Sequence, residues 1–151
     1  MLKELTNKEL IKLNIDASDW VDAVRQAGAP LVKSGKVTKE YVDAMIQNVQ
    51  EMGPYIVITK HVALPHARPV AGALKTALGI ATLKHPIAFG NKDNDPVKYV
   101  FCLSAKENTE HLQALAHLAK LLENEKFYEV LDTAKTVDEV WNFLHEEKKG
   151  V

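Results

Sequence analysis

The chain has 151 residues, a net charge of −1, 46% hydrophobic residues and a single cysteine. This length and hydrophobic content are typical of one domain with its own core, and a lone cysteine cannot form an internal disulfide, so a disulfide-rich secreted scaffold is excluded. The near-neutral charge, with only two arginines among 19 basic residues, argues against nucleic acid as a partner.

Membrane insertion is not expected from this sequence. No apolar stretch approaches the ~20 residues that a membrane helix needs, because the longest unbroken apolar run covers only residues 99–103. The N-terminal residues alternate charged and apolar side chains, unlike a signal peptide. We therefore expect a cytoplasmic protein, in which Cys102, inside that apolar run, is a buried hydrophobic residue.

The first third of the chain is predicted to contain two helices. Ser18 can cap the first, which we expect to end at Gly28. Thr38 can cap the second, which Gly53 and the proline after it should stop. Apolar residues recur at helical spacing in both segments, at Trp20, Val21, Val24 and Ala27 and then at Tyr41, Val42, Met45, Ile46 and Val49.

The middle of the chain is predicted to form strands and the last third to return to helices. Short β-prone runs cover residues 55–59, 77–83 and 97–103. A helical pattern follows at 110–122, and residues 136–139 fit a capping box ahead of a last helix. This order favours a sheet covered by helices, in an α/β or α+β arrangement. Because no repeat or linker divides the sequence, we expect a single domain over residues 1–151.

The segment from Leu64 to Pro69 is the first candidate for chemistry. Each of its two prolines pushes the preceding residue toward an extended conformation, which would place His66 and Arg68 on the same side. A neutral imidazole is a nucleophile, and a guanidinium can bind phosphate oxygens in a bidentate fork. From these two residues alone, the simpler interpretation is favoured: a turn histidine bonded to the backbone and an ordinary surface arginine.

A second candidate, His111, falls in the first turn of the predicted helix 110–122. Free backbone N–H groups and the positive end of the helix dipole lie there. Helical geometry places His111 on the same face as Leu115, Leu118 and Leu122, so it should point toward the body of the domain. The alternative, a half-buried histidine bonded to a backbone carbonyl, is equally compatible with the sequence.

The other histidines are expected to lie outside any site. His117 is off the apolar stripe of its helix and is assigned to solvent, and His61 and His85 are interpreted as surface histidines. The sequence contains no Gly-rich phosphate loop, no pair of Cys-x-x-Cys motifs and no His-Glu-x-x-His. Nucleotide-driven chemistry is therefore unsupported.

The stretch 51–67, EMGPYIVITKHVALPHA, resembles the phosphorylation-site signature of the mannitol/fructose class of enzyme IIA components of the sugar phosphotransferase system (EIIA type 2). His66 takes the place of the family's phosphohistidine, and His111, within EHLQ at 110–113, matches its second active-site histidine. Thr59 departs from the pattern, because many members have Gly or Ala there. The motifs PHARP and NDPV look most like the ascorbate-specific branch. The similarity covers about residues 9–145.

The resemblance implies one three-layer α/β domain, with a central mixed sheet flanked by helices on both faces. It further implies that His66 takes a phosphoryl group from phospho-HPr and passes it to a cysteine of an enzyme IIB, for uptake and phosphorylation of a sugar such as ascorbate. The membrane permease, enzyme IIC, would be a separate chain reached through enzyme IIB. His111 would stabilise the phosphate. No metal, nucleotide or other cofactor would be needed, because the phosphoryl group arrives already activated on a partner protein. The role of Arg68 as a phosphate ligand is inferred from spacing alone. We also expect an apolar, weakly charged docking surface around His66.

Two alternatives remain at this stage. Domains that resemble this one can carry a phosphohistidine yet regulate other proteins instead of feeding a transporter. A metal-dependent hydrolase using His61, His66 and His111 is a third class, which the absence of a metal-ligand motif disfavours.

Overall fold

The structure, a computed structural model, describes residues 2–149. Six α-helices and five β-strands follow one another along this part of the chain, with one-turn 3-10 helices at Lys8–Leu10 and Pro69–Ala71. In chain order the elements are α1 (Leu2–Leu5), β1 (Ile11–Ile15), α2 (Trp20–Lys33), α3 (Lys39–Met52), β2 (Val57–Thr59), β3 (Val62–Ala63), β4 (Ala77–Ile87), β5 (Val97–Ser104), α4 (Asn108–Leu121), α5 (Glu125–Thr133) and α6 (Val137–Lys149).

The five strands form one mixed sheet in the order β1-β4-β5-β3-β2. β1 runs parallel to β4 and β3 runs parallel to β5, whereas the pairs β4–β5 and β2–β3 are antiparallel. β5 therefore lies at the centre of the sheet, so that both of its faces can be buried. The mixed sheet expected from the family resemblance is confirmed.

Helices cover both faces of the sheet. On β5, Val100 and Cys102 belong to the core shared with α2 and α3, while Phe101 and Leu103 belong to the core shared with α4, α5 and α6. This alternation follows from the two-residue period of a strand. The three-layer α/β arrangement is thus confirmed. Cys102 is fully buried, as expected, and burial raises the pKa of its thiol to about 12.

The boundaries predicted for α2 are wrong at both ends. Its N-cap is Asp19, whose carboxylate accepts the Asp22 N–H at 2.8 Å, and the helix continues past Gly28 and Pro30 to Lys33. Gly28 serves close packing instead of ending the helix, because a Cβ there would lie 3.0 Å from Cγ2 of Val42 in α3. A glycine inside a helix can thus be mistaken for a C-cap.

The predicted boundaries of α3 are confirmed. The Thr38 hydroxyl accepts the Tyr41 N–H at 3.3 Å, and the helix ends at Met52, where Gly53 adopts a φ of 93°. Its buried face carries the five apolar residues of the predicted stripe, Tyr41, Val42, Met45, Ile46 and Val49. The packing of this face fixes the orientation of α3, whose residues Ala44 and Asn48 line the pocket described below.

The last third of the chain differs from its prediction in one helix and in one helix face. Helix α5 was not predicted. Helix α4 buries Ala114, Leu118 and Leu121, so its buried face is rotated away from the predicted stripe. As a result His111 lies at the edge of that face and is only half-buried, while Leu112 is exposed. The predicted capping box is present in part, since the Glu139 carboxylate accepts the Thr136 N–H at 2.8 Å.

Two strands escaped prediction and the others differ at their ends. β1 and β3 were not predicted, β2 begins at Val57 instead of residue 55, and β4 runs four residues further, to Ile87.

Among residues 2–149, no helix is both long and apolar enough to cross a membrane.

Candidate functional site

The loop after β3 places the first candidate residue, His66, beside the last residues of β5. Two backbone hydrogen bonds hold this loop against its neighbours: the Leu64 N–H donates to the Ile56 carbonyl at 2.7 Å, and the Leu103 N–H donates to the Pro65 carbonyl at 3.0 Å. Because proline lacks an N–H, the chain cannot continue a regular ladder at residue 65. The sheet therefore presents His66 at its edge, on a short segment outside regular structure.

The His66 ring has one nitrogen bonded to the backbone and one free. Nδ1 lies 2.8 Å from the Leu64 carbonyl oxygen. A carbonyl can only accept, so Nδ1 carries the proton, and in the neutral ring the lone pair is then on Nε2. Nε2 has no hydrogen-bond partner in the described part of the chain. The backbone bond suggested as the simpler interpretation of His66 exists, and it leaves the ring with one nucleophilic nitrogen.

His111 packs beside this ring. It belongs to the first turn of α4, and the centroids of the two imidazole rings are 5.5 Å apart. Desolvation of the ring, and secondarily the nearby charge of His66, lowers the pKa of His111 below its ordinary value. Although 45 residues separate them in sequence, the structure brings the two histidines together, and the lowered pKa favours the neutral form of His111.

The N-terminus of α4 opens on the same site. Its N-cap, Glu107, makes no side-chain capping bond to the helix, and both Glu107 and Asn108 line the pocket that contains the two histidines. The first backbone N–H groups of the helix are therefore without a capping side chain, and with the helix dipole they attract an anion.

Arg68 lies at the rim of the same pocket. Its backbone is extended, with φ −66° and ψ 144°, as the following proline predicts. The side chain is exposed, and its guanidinium has no ion-pair partner within residues 4–146. Both His66 and Arg68 line the pocket, as does Ala67 between them. The free guanidinium can thus bind an anion without first breaking an ion pair.

The pocket has a volume of about 600 Å³ and combines polar groups with apolar walls. The Tyr55 ring stands edge-on to His66, with ring centroids 5.8 Å apart. Met52 and Val70 also line it and are 64% and 91% exposed. The remaining lining residues are Ala44, Asn48, Glu51, Ala67, Pro69, Ala71 and Ala105. Exposed apolar side chains therefore surround His66, as expected for a docking surface.

The other predicted assignments can be compared directly. His85 and His117 are exposed, as predicted. His61 is half-buried and does not line the pocket, and its Nδ1 donates to the Pro96 carbonyl at 2.7 Å. Within the described residues, no three His, Cys, Asp or Glu side chains are grouped closely enough to hold a metal ion.

Three residues in or behind the site were missed by the sequence analysis. Tyr41 was assigned only to the core, yet its hydroxyl oxygen lies 2.8 Å from the Leu103 carbonyl oxygen and 3.1 Å from both N and O of Ala67. Asn48 lies seven residues further along α3, two helical turns on, which could have placed it on the same side as Tyr41. Tyr55 was assigned to a strand, and only the loop geometry shows its contact with His66.

Comparison with known proteins identifies the family. The family model "Phosphoenolpyruvate-dependent sugar phosphotransferase system, EIIA 2" matches residues 4–147. The ascorbate-specific PTS system EIIA component of Escherichia coli K12 is 33% identical over 141 residues, which cover 93% of this chain and 92% of that protein.

Solved structures agree with this result. The solution structure of the mannitol-specific cryptic phosphotransferase enzyme IIA CmtB from Escherichia coli has a TM-score of 0.82 and 30% identity, covering 93% of this chain and 95% of that one. Enzyme IIA of the mannitol system of Escherichia coli, in complex with phosphorylated enzyme IIB, has a TM-score of 0.80 and 31% identity, covering 93% of this chain and 96% of that one. The chain therefore belongs to the EIIA 2 family of the phosphoenolpyruvate-dependent sugar phosphotransferase system.

Proposed function

We propose that this protein is a phosphocarrier that accepts a phosphoryl group from phospho-HPr on Nε2 of His66 and passes it to a cysteine of an enzyme IIB. The observation that carries the proposal is the Nδ1–H bond from His66 to the Leu64 carbonyl. It leaves Nε2 as the nucleophile beside a pocket that His111, Arg68 and the N-terminus of α4 also line. These are groups that suit a phosphoryl group.

The transfer needs no proton movement at His66. In the first step the Nε2 lone pair forms a bond to phosphorus while the N–P bond of phospho-HPr breaks, and its electron pair returns to the HPr imidazole. In the second step the cysteine thiolate of enzyme IIB attacks phosphorus, and the Nε2–P electron pair returns to His66. Nδ1 keeps its proton throughout, and the Leu64 carbonyl stabilises the positive charge of the phosphorylated ring.

Positioning and charge stabilisation would account for most of the catalysis, because phosphoryl transfer demands little covalent work from the protein. Arg68 can form a bidentate pair with two phosphoryl oxygens. His111 can donate a hydrogen bond to the phosphoryl group while remaining neutral. The N–H groups at the start of α4 would add fixed donors that need no rearrangement.

Both partner proteins would dock on the exposed apolar side chains around the pocket, including Met52, Tyr55 and Val70. The mannitol-system enzyme IIA of Escherichia coli, a relative of this chain, has been solved by NMR in complex with phosphorylated enzyme IIB, which supports enzyme IIB as one partner. The permease, enzyme IIC, would be reached through enzyme IIB. Cys102 of this chain is buried and cannot stand in for the partner's cysteine.

We further propose ascorbate as the sugar, a cytoplasmic location and action as one domain over residues 1–151 with no cofactor. The ascorbate-specific relative supports the first of these. Its name and those of the mannitol-type structures favour transport over the regulatory alternative.

The test is incubation with enzyme I, HPr and phosphoenolpyruvate, followed by mass measurement of the intact protein. We expect the wild type and His117→Ala to gain one phosphoryl group and His66→Ala to gain none. His117 is the matched control because it is an exposed histidine on α4, away from the pocket. Phosphorylation of His66→Ala to the wild-type level would contradict the proposal. Ascorbate-type and mannitol-type enzyme IIB proteins, offered in turn as acceptors, would decide the sugar.

A further inference from the structure

The segment that presents His66 lacks the repeated hydrogen bonds of a helix or a strand. Residues 64–67 therefore depend on a few individual bonds for their conformation. The bond from His66 Nδ1 to the Leu64 carbonyl spans only two residues, so its geometry follows the backbone of this segment directly. Whatever fixes the segment also fixes the direction of Nε2.

Leu103, near the end of β5, is linked to both residues that flank His66. Its N–H donates to the Pro65 carbonyl at 3.0 Å. Its carbonyl accepts from the Tyr41 hydroxyl at 2.8 Å, and the oxygen of that hydroxyl accepts the Ala67 N–H at 3.1 Å. Pro65 is thus held by the strand itself, whereas the hydrogen bonds of Ala67 within the described residues all involve the hydroxyl of Tyr41.

Tyr41 is well placed to act as a rigid support. Its side chain is 0% exposed. A Cβ added at Gly72 would meet the Tyr41 Cβ at 3.2 Å, which shows how closely the 3-10 segment after Arg68 packs on it. Burial raises the pKa of Tyr41 to about 12, so the hydroxyl keeps its proton throughout the neutral pH range.

We propose that Tyr41 is a positioning residue for phosphoryl transfer: its buried hydroxyl joins Ala67 to Leu103 and thereby fixes the orientation of the His66 ring. This inference rests on the proposed function of His66. Tyr41 does not touch the phosphoryl group, and it acts by holding the backbone on one side of the nucleophile while Leu103 holds the other.

The test compares Tyr41→Phe with Tyr128→Phe. Tyr128 is the matched control, because its hydroxyl also donates to a backbone carbonyl, that of Leu122, at 2.7 Å, but on the other face of the sheet. For Tyr41→Phe we expect kcat for transfer from phospho-HPr to fall about tenfold with KM unchanged, because the docking surface is intact. The ring nitrogens of His66 should also show a mixture of tautomers by ¹⁵N NMR. Tyr128→Phe should change neither measurement. Equal kcat values for both variants, or an unaltered His66 tautomer in Tyr41→Phe, would overturn the inference.

A second measurement uses the wild type alone, in case Tyr41→Phe does not fold. Amide hydrogen exchange at Ala67 should be strongly slowed, because its N–H is bonded to a buried hydroxyl. Exchange at the rate of an unprotected loop amide would overturn the inference. Failure of wild-type His66 to accept phosphate would contradict the proposed function instead, and the exchange and tautomer measurements would still decide the role of Tyr41.

Discussion

His66 and His61 lie five residues apart and make the same kind of hydrogen bond in different surroundings. In each ring Nδ1 donates to a backbone carbonyl, that of Leu64 at 2.8 Å and that of Pro96 at 2.7 Å. His66 lines the pocket with His111. His61 lies in a tight turn with φ 69°, where its backbone N–H donates to the Asn94 carbonyl.

The comparison separates the selection of a tautomer from the capacity for chemistry. A carbonyl at Nδ1 fixes which nitrogen carries the lone pair in both rings. Of the two rings, the one at His66 lines a pocket that also contains the Arg68 guanidinium, which has no ion-pair partner among residues 4–146, and a helix N-terminus without a side-chain cap. Substitutions around the pocket should therefore lower the rate of phosphoryl transfer with little loss of stability. Substitutions at the His61 turn should lower the stability and leave the transfer rate unchanged.

The largest effect in this comparison is expected for Arg68→Gln. We expect the rate of transfer from phospho-HPr to fall on the order of 10²-fold, because a donor to the transferred phosphoryl group is lost. Arg68→Lys should recover part of the rate, since a point charge keeps the attraction but not the bidentate geometry. Rapid-quench measurement of phosphoryl transfer would report both. Arg25, the other arginine, pairs with Asp43 at 2.8 Å away from the pocket, and Arg25→Gln should leave the rate unchanged. A rate in Arg68→Gln equal to that of Arg25→Gln would remove Arg68 from the site.

A smaller effect is expected for His111→Gln. The variant should still accept phosphate on His66, with forward and reverse transfer slowed by roughly tenfold.

The stability of His111→Gln should also depend less on pH than that of the wild type. The pKa of His111 is lowered in the folded protein, so between that value and the ordinary value of about 6.5 the unfolded chain binds more protons. The contribution of His111 to stability therefore rises with pH through this window and is lost as pH falls.

Urea unfolding at several pH values would check the second part of this prediction. The difference in unfolding free energy between wild type and His111→Gln should change between pH 7 and pH 5. His117→Gln, on the same helix, is the control. Transfer rates in His111→Gln that match the wild type in both directions would show that His111 has no part in the site.

The smallest effect is expected at the His61 turn. His61→Ala should lower the free energy of unfolding by about 1 kcal/mol through loss of the bond to Pro96, and leave the transfer rate unchanged. His61→Gly should cost less, because glycine adopts the positive φ of this position without strain. Urea denaturation and the transfer assay together would measure both. A slowed transfer in a fully folded His61→Ala would break the distinction between the two histidines.

Local sequence rules predicted the parts of the site that local physics controls. Pro69 correctly indicated the extended conformation of Arg68, and Thr38 and Gly53 correctly marked the ends of α3. The fold class required the family resemblance, because periodicity alone did not distinguish α/β from α+β. The proximity of His66 and His111 likewise depends on how β3, β5 and α4 pack, which no short-range pattern contains.

The errors have physical reasons of the same kind. Gly28 was wrongly interpreted as a helix end. Its actual role is to let α2 approach Val42, and a contact between residues distant in sequence leaves no local signal. β3 has only two residues, too few to show the alternation that predicts a strand. Tyr41 fits the apolar stripe of α3 completely, so nothing in its spacing indicated that its hydroxyl serves the loop beside His66.

The sharing of one pocket by His66, His111 and Arg68 has a kinetic consequence for the proposed function. Under the proposed function, donor and acceptor proteins would approach the same nitrogen from the same side, so their binding to this protein would be mutually exclusive. The protein would then release one partner before it binds the next. Weak, rapidly reversible docking on Met52, Tyr55 and Val70 would favour such a cycle, because a tightly bound partner would prevent the next partner from binding.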